Sequence, residues 1–346
     1  MVVGGGVTGC AAALRLAEGG LKVRLHDARE IAGGASGRNG GFALRGGAAP
    51  FDVTVETIGR DATVWLWRQT EGALDRLEDL AGDALRRTGS LRLAADDEER
   101  DALATELEGL RAAGFAADWI DDPLEGRFRA AILHPPDAAL QPARLVRRLA
   151  VAAAEAGVEI RQHSRVDSLD ELDAEHVLVA TDGYPSGLLG ELEGLIVPTR
   201  GQMIATEPLT DRVFDCPHYG RHGFDYWQQT PDGRILAGGF RDSALQDEFT
   251  TDEVTTPGIQ SALEAFVADL VGRPLRVDYR WAGLFGLVLD FLPVVGRVPG
   301  DARTWVAGGY SGHGNVLGFV CGELVAGAIL GRPAPELALF DPARLL

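Results

Sequence analysis

Gly4, Gly5, Gly6, Val7, Thr8 and Gly9 form a GxGxxG spacing between an apolar stub and an Ala/Leu-rich stretch. The first glycine permits a tight turn and the second lets backbone approach a pyrophosphate. The third lets a helix pack close to the preceding strand. The start of that helix offers unpaired N–H groups and about half a positive charge to phosphates. Asp27 follows 18 residues after Gly9, at the end of a second apolar segment. A carboxylate there accepts ribose hydroxyls and disfavours a 2′-phosphate, so the expected nucleotide is ADP-like, as in FAD or NAD. In a chain with 45 glycines the spacing alone is weak. The order of strand, turn, helix, strand and acid is what makes a bare glycine turn the poorer reading.

Further along, Ser36, Gly37, Arg38, Asn39, Gly40 and Gly41 put small residues, an amide and a cation directly after the dinucleotide unit. Three more strings stand out: VLVATDG at 177–183, DFLPVVG at 290–296 and AGGYSGHGNVLG at 307–318. Together with GASGRNGGF at 34–42, these strings resemble the FAD-dependent D-amino-acid-oxidase-like oxidoreductases. The similarity is greatest to the gamma-glutamylputrescine oxidoreductase and glycine–sarcosine oxidase branch, and it covers nearly the whole chain. It implies FAD bound at Gly4, Gly6, Val7, Thr8, Gly9, Asp27 and Ala28, then at Ser36, Gly37, Arg38, Asn39, Gly40 and Gly41. Val166 is expected to contact adenine through its backbone, with Ala180 and Thr181 beside the dinucleotide. Gly309, Ser311, Gly312, His313, Gly314 and Asn315 are expected to set backbone N–H groups, with a helix N-terminus behind them, opposite the flavin pyrimidine. Such an arrangement stabilises negative charge on the reduced ring.

The sequence departs from the family pattern in three ways. Only Met1, Val2 and Val3 precede the glycines, so a truncated or late start and weaker FAD affinity are expected. Only nine residues separate Val166 from His176, where relatives insert a small antiparallel meander, so a trimmed FAD domain is expected. The covalent members' linking His or Cys is missing from 36–41, and 281–293 holds no cysteine, so FAD is expected to be non-covalent.

The resemblance implies oxidation of a primary or secondary amine or amino acid to an imine, which water then hydrolyses. Hydride passes to flavin N5, and O2 reoxidises the ring to give H2O2. The chemistry needs little beyond an uncharged amine held in a dry pocket. The substrate pocket is expected from Tyr226, Trp227, Arg241, Trp281 and Phe285. Arg241 could pair a substrate carboxylate in a bidentate fork. Its plainer role is a surface pair with Asp242 or Glu248. Tyr226 and Trp227 are adjacent on a strand and must face opposite ways, so at most one lines the pocket. Gln228 and Gln229 stand where relatives often carry arginine, which weakens the case for carboxylate recognition. His313 is read as a positioning and hydrogen-bonding group rather than a general base. An alternative keeps the amine half-reaction but passes electrons to a quinone or carrier. A third reading is a flavin-binding module without amine turnover. Several oxidases of the superfamily carry a lysine over the flavin, and the only lysine here is Lys22, beside the first helix.

The formal net charge is −18, from 51 acidic against 33 basic residues, which argues against nucleic acid and anionic membrane surfaces. It leaves a cationic substrate open, although acidic totals also serve solubility. Cys10, Cys216 and Cys321 have no CxxC spacing, which excludes a disulfide scaffold and fits a cytoplasmic, reducing compartment. The histidines lack metal-ligand spacing, and no apolar run is long enough to span a bilayer.

With 346 residues the chain is expected to hold about two domains. Parallel-strand patterns at both ends and in the middle are interrupted by antiparallel ones. The expected architecture is α/β: a Rossmann-like FAD-binding domain (1–75, 138–195, 288–346) interleaved with an α+β substrate domain (76–137, 196–287). The second is built on a mainly antiparallel sheet. Helices are expected at 10–18, 57–81, 97–113, 142–156, 256–271 and 315–330, with Trp65 rather than Trp67 on the core face of the second.

Overall fold

The structure, a computed structural model, describes residues 1–346 apart from the side chain of residue 191. A six-stranded sheet runs in the order Val294–Arg297, Thr304–Gly308, Val177–Val179, Val2–Val3, Arg24–His26, Glu159–Arg161. Its pairs are parallel except at the Val294–Arg297 edge. Period-two alternation gives each face its own core. Val2, Leu25, Leu178, Val295 and Ala307 pack under the helices Val7–Glu18, Pro142–Glu155 and Leu317–Ile329. Val3, Val177, Val179, Val294 and Val306 pack on the other face against Ile196, Leu188, Leu189 and Leu192. Burial on both sides explains why the Val177–Val179 segment has no polar member. The short stub Val2–Val3 sits at the centre of this sheet, paired with strands on both flanks.

An eight-stranded sheet runs Val277–Leu287, Val197–Pro208, Arg234–Gly239, Asp225–Gln229, His218–Gly220, Ser90–Ala94, Ala130–His134, Asp118–Asp121. It is antiparallel save where His218–Gly220 meets Ser90–Ala94. One face carries Ile204, Trp227, Ile235 and Ala237 against Ile259, Leu263 and Val267 of the helix Pro257–Val271. The other face carries Met203, Tyr226 and Gly238, aligned across neighbouring strands. The strands Phe42–Ala43, Ala138–Leu140 and Leu85–Arg86 form a third, small sheet.

The expected helix over 57–81 is two helices, Phe51–Ile58 and Arg60–Ala81, separated by Gly59 at φ 82°. The tryptophan assignment is corrected: Trp67 is 4% exposed in the core, while Trp65 is only partly buried, tilted against Phe340. The inner face of the helix runs through Thr63, Leu66, Trp67, Thr70, Leu74 and Leu77. The Trp67 indole fits because Gly46 has no side chain: a Cβ there would lie 2.3 Å from Trp67 Cζ2.

Candidate cofactor and substrate cavity

One cavity of about 440 Å³ lies between the two large sheets. At one end is the glycine turn. Gly4 has φ 110°, and a Cβ on it would stand 2.4 Å from the Ala180 carbonyl oxygen. A Cβ on Gly9 would stand 1.9 Å from the Gly4 carbonyl oxygen, so this glycine serves helix packing and does not line the cavity. Gly5, Gly6, Val7 and Thr8 do line it. No side chain caps the helix at Gly6, although the Val7 N–H donates to Ser36 Oγ at 3.0 Å. Asp27 accepts from the N–H groups of Gly5 at 2.6 Å and Arg29 at 2.7 Å. An ionised carboxylate has about four acceptor sites, so capacity for ribose hydroxyls remains. Ala28, Ser164, Arg165 and Val166 complete this end. A cradle that side chains would fill, a helix start whose N-cap Gly6 brings no side chain and a carboxylate with spare lone pairs fit the ADP half of FAD.

The next wall is the Ala35–Arg38 turn and the loop after it. Arg38 donates to the carbonyls of Gly33 and Ala282, at 2.9 and 3.1 Å. The amides of Asn39 and Asn315 exchange two hydrogen bonds, each 3.0 Å. Asn315 also donates to the Phe42 carbonyl at 2.9 Å. Gly37 and Gly41 lie behind the wall: a Cβ on either would stand 2.0 Å from a backbone oxygen, of Ala32 and Leu140 respectively. Gln228 is buried, and its amide donates to the carbonyls of Gly40 and Gly41. It supports that loop from below instead of facing a substrate.

Asp182, the acid of the 177–183 string, is a functional residue that the sequence pattern alone does not assign. Here its carboxylate accepts from Gly309 N–H at 2.8 Å and Gly286 N–H at 3.0 Å. It thus joins the end of the Val177–Val179 strand, the end of Val277–Leu287 and the 309–315 turn. Burial pushes its carboxyl up, opposed by the backbone N–H groups. The signal available beforehand was an acid at the end of a buried strand. In the turn itself, Ser311, Gly312, His313, Gly314 and Asn315 face the cavity, while Gly309 packs against Val288. No side chain caps the following helix, Leu317–Ile329.

Beyond the turn the lining becomes aromatic and aliphatic: Phe42, Leu44, Met203, Tyr219, Tyr226 and Phe285. Tyr226 faces the cavity, while Trp227 lies in the opposite core, stacked on Phe128 and His218. The Tyr226 hydroxyl is pushed up to about 12 by burial, so it stays protonated. Trp281 is on the same sheet face but does not line the cavity, which corrects its expected place. Its indole N–H donates to the Arg38 carbonyl at 2.7 Å and is covered by that turn.

Arg241 lines the cavity with its guanidinium carbon 4.4 Å from the Phe224 ring centre and 5.7 Å from that of Phe285. Among the described residues it has neither an ion pair nor a side-chain hydrogen bond. The acids considered as its partners are taken: Asp242 pairs Arg221 at 2.9 Å and Glu248 pairs Arg200 at 2.7 Å. His313 meets the Tyr219 ring edge-on at 5.7 Å. Burial, then Arg92, hold its imidazole down at about 4, so it is neutral near pH 7. Its Nδ1 has no partner among the described residues. Lys22 is exposed and away from the cavity. Among the described residues no His, Cys, Asp or Glu group could hold a metal, and no helix is long and apolar enough to cross a membrane.

A family model described as FAD dependent oxidoreductase matches residues 1–328. The gamma-glutamylputrescine oxidoreductase of Escherichia coli (strain K12) is 28% identical over 95% of this chain and 83% of that protein. A glycine oxidase of Bacillus licheniformis is 25% identical over 96% of this chain and 93% of that protein. In fold, the chain is similar to the crystal structure of glycine oxidase from Geobacillus kaustophilus, at 22% identity. The TM-score is 0.79, and the match covers 99% of this chain and 97% of that one.

Proposed function

This chain belongs to the FAD-dependent oxidoreductase family, and on that premise we propose that it oxidises a small amine or amino acid bearing an anionic end. The observation that carries the anionic end is Arg241, a cation in the cavity wall stacked on Phe224 and Phe285 and without a carboxylate of its own. A guanidinium in that state is a ready partner for a substrate carboxylate. The amine class is supported by the kinship to the gamma-glutamylputrescine oxidoreductase and the glycine oxidase.

FAD, when bound, supplies the two-electron acceptor for the C–H bond beside the amine nitrogen. Held without a covalent link, it would lie along Gly4, Gly6, Val7, Thr8, Asp27 and Ala28, then Ser36, Arg38, Asn39 and Gly40, with Val166, Ala180 and Thr181. The turn Ser311, Gly312, His313, Gly314 and Asn315 would hold its far end. Gly9, Gly37, Gly41 and Gly309 shape these walls from behind.

The protein's own part is to bind, orient and dry the substrate. Arg241 grips the anionic end, and Tyr226, Phe285 and Met203 exclude water. Low polarity and the charge of Arg241 both lower the pKa of a bound ammonium, which favours the neutral amine without a dedicated base. Neutral His313 orients by hydrogen bonding. The product imine hydrolyses in water, and the electrons leave to O2 as H2O2. A second reading sends them to a quinone or carrier. It is favoured by the position of Lys22, which leaves the cavity without a lysine. Mixing the holoprotein anaerobically with a panel of amines and amino acids, while following flavin absorbance, tests the reading. Bleaching by carboxylate-bearing amines is expected, and a panel that leaves the colour unchanged would overturn it. Recovery of colour in air separates O2 from a carrier.

A further inference from the structure

Glu253 lies in residues 245–256, which run from the turn Arg241–Ala244 to the helix Pro257–Val271 and reach the cavity lining at Thr251. Both flanks of Glu253 are pinned. Arg200 forms a buried two-point pair with Glu248, at 2.7 and 2.9 Å, and donates to the Asp252 carbonyl at 3.4 Å. Gln202 donates to Thr256 Oγ1 at 2.9 Å and accepts from its backbone N–H at 2.8 Å.

From this fixed base the Glu253 carboxylate meets groups from three separate places on the other side. Arg29 Nη1 lies 2.6 Å away, the Tyr184 hydroxyl donates at 2.6 Å, and Arg38 Nη1 lies at 3.8 Å. The Arg29 guanidinium also sits over the Tyr184 ring, 4.8 Å from its centre. Arg29 follows the strand Arg24–His26, Arg38 ends the Ala35–Arg38 turn, and Tyr184 follows the strand Val177–Val179. Arg29, Arg38 and Tyr184 line the cavity, as does Thr251 from the crossing segment. The side chain of Glu253 is 16% exposed and that of Arg29 41%, so the cluster marks the cavity rim.

An acid at the rim of a groove for an anionic dinucleotide cannot serve as a ligand to phosphate. Its two oxygens are engaged by Arg29 and the Tyr184 hydroxyl, and the carboxylate does not itself line the cavity, so its part is to hold those groups together. We propose that Glu253 is a cofactor-retaining residue, closing the rim over bound FAD and setting the rate at which FAD leaves. This rests on the reading that FAD occupies the groove. A lone exposed ion pair would contribute little. Here two donors, the Tyr184 hydroxyl and Arg29, share one carboxylate of low exposure with the Arg38 charge 3.8 Å away, and losing it leaves the Tyr184 hydroxyl and Arg29 without that partner.

The test is the rate of FAD release from holoprotein, followed by flavin fluorescence after mixing with excess scavenger. Glu253→Gln is expected to release FAD about tenfold faster than the wild type. Added salt is expected to speed wild-type release and to leave the variant nearly unchanged, because it screens the pairs the variant lacks. Tyr184→Phe removes one hydroxyl and no charge, and is expected to accelerate release about threefold even if the first variant folds poorly. Release from Glu253→Gln within about twofold of wild type, or slower, would overturn the proposal. Wild-type protein that takes up no FAD would instead bring down the reading of the groove, and this inference with it.

Discussion

Asn39 and Asn315 stand 276 residues apart and exchange a reciprocal pair of amide hydrogen bonds, each 3.0 Å long. The pair joins the loop after the dinucleotide turn to the turn before the last long helix, both of which line the cavity. Each amide also has a backbone partner: Asn39 Oδ1 accepts from Gly41 N–H and Asn315 donates to the Phe42 carbonyl. Two walls of the cavity are therefore held in register by this amide pair and by the bond from Asn315 to the Phe42 carbonyl.

That coupling is measurable. Asn39→Ala or Asn315→Ala strands the opposing amide, at a cost of about 1–3 kcal/mol in unfolding free energy. The double variant is expected to cost less than the sum of the singles by about 1 kcal/mol, the signature of a direct pair. Denaturant unfolding of the apoprotein gives all three values. Strictly additive losses would mean that the amides act independently.

Asp182→Asn keeps the shape and changes the donor–acceptor balance. The carboxylate meets backbone N–H groups of Gly309 and Gly286, and an amide must turn its own N–H2 toward one of them. The expected cost is about 1–3 kcal/mol of unfolding free energy, with weaker FAD affinity because the 309–315 turn loosens. Equilibrium unfolding together with FAD titration checks it. An unchanged affinity would detach this carboxylate from the cofactor site.

Acid should destabilise the fold through its buried histidines. Burial holds His134 down at about 3 and His218 at about 4, against 6.5 unfolded. Between the folded and unfolded values the unfolded chain binds more protons, so stability rises with pH and is lost as pH falls below 6.5. Each contributes a loss on the order of 2 kcal/mol on going to pH 5. Asp137 opposes them, because burial raises its carboxyl to about 6 and makes it gain stability as pH falls from there toward 3.8. His313, held down at about 4, adds to the two histidines, while Asp182 and Glu106, pushed up by burial, act with Asp137. The three histidines dominate, so denaturant midpoints at pH 7, 6 and 5 are expected to fall in that order. A midpoint that rises toward pH 5 would reverse the assignment.

The parts of the site legible in the sequence are those where backbone geometry dictates residue type. The turn at Gly4 and Gly6 and the acid at Asp27 are legible because a tight turn, a close approach and an acceptor for the turn's own N–H groups each narrow the residue type. For Gly9, Gly37, Gly41 and Gly309 the resemblance implies FAD contacts, and a Cβ on each would meet this chain's own atoms. A glycine records that space is scarce and does not record what fills it. Trp281 has the right strand period for the cavity but is covered by Arg38, a neighbour set by tertiary packing 243 residues away. Asp182 and Glu253 were missed for the same reason, since their partners come from separate segments. Trp67 was misassigned because two tryptophans two apart on one helix differ only in which meets the space left by Gly46. In the fold class, the parallel and antiparallel patterns were legible because period two and burial on one or both faces write themselves into apolar spacing.

The central claim is that Arg241 holds the anionic end of an amine while FAD takes its electrons. It is tested most directly by rapid anaerobic mixing of wild type and Arg241→Ala holoproteins with an amino acid substrate and its decarboxylated analogue. Loss of a charge-assisted pair is expected to lower the second-order rate of flavin reduction by the amino acid about 10- to 100-fold. Reduction by the decarboxylated amine is expected to change by less than about threefold, since it lacks the group that Arg241 holds. Equal losses on both substrates, or no loss on either, would contradict the account.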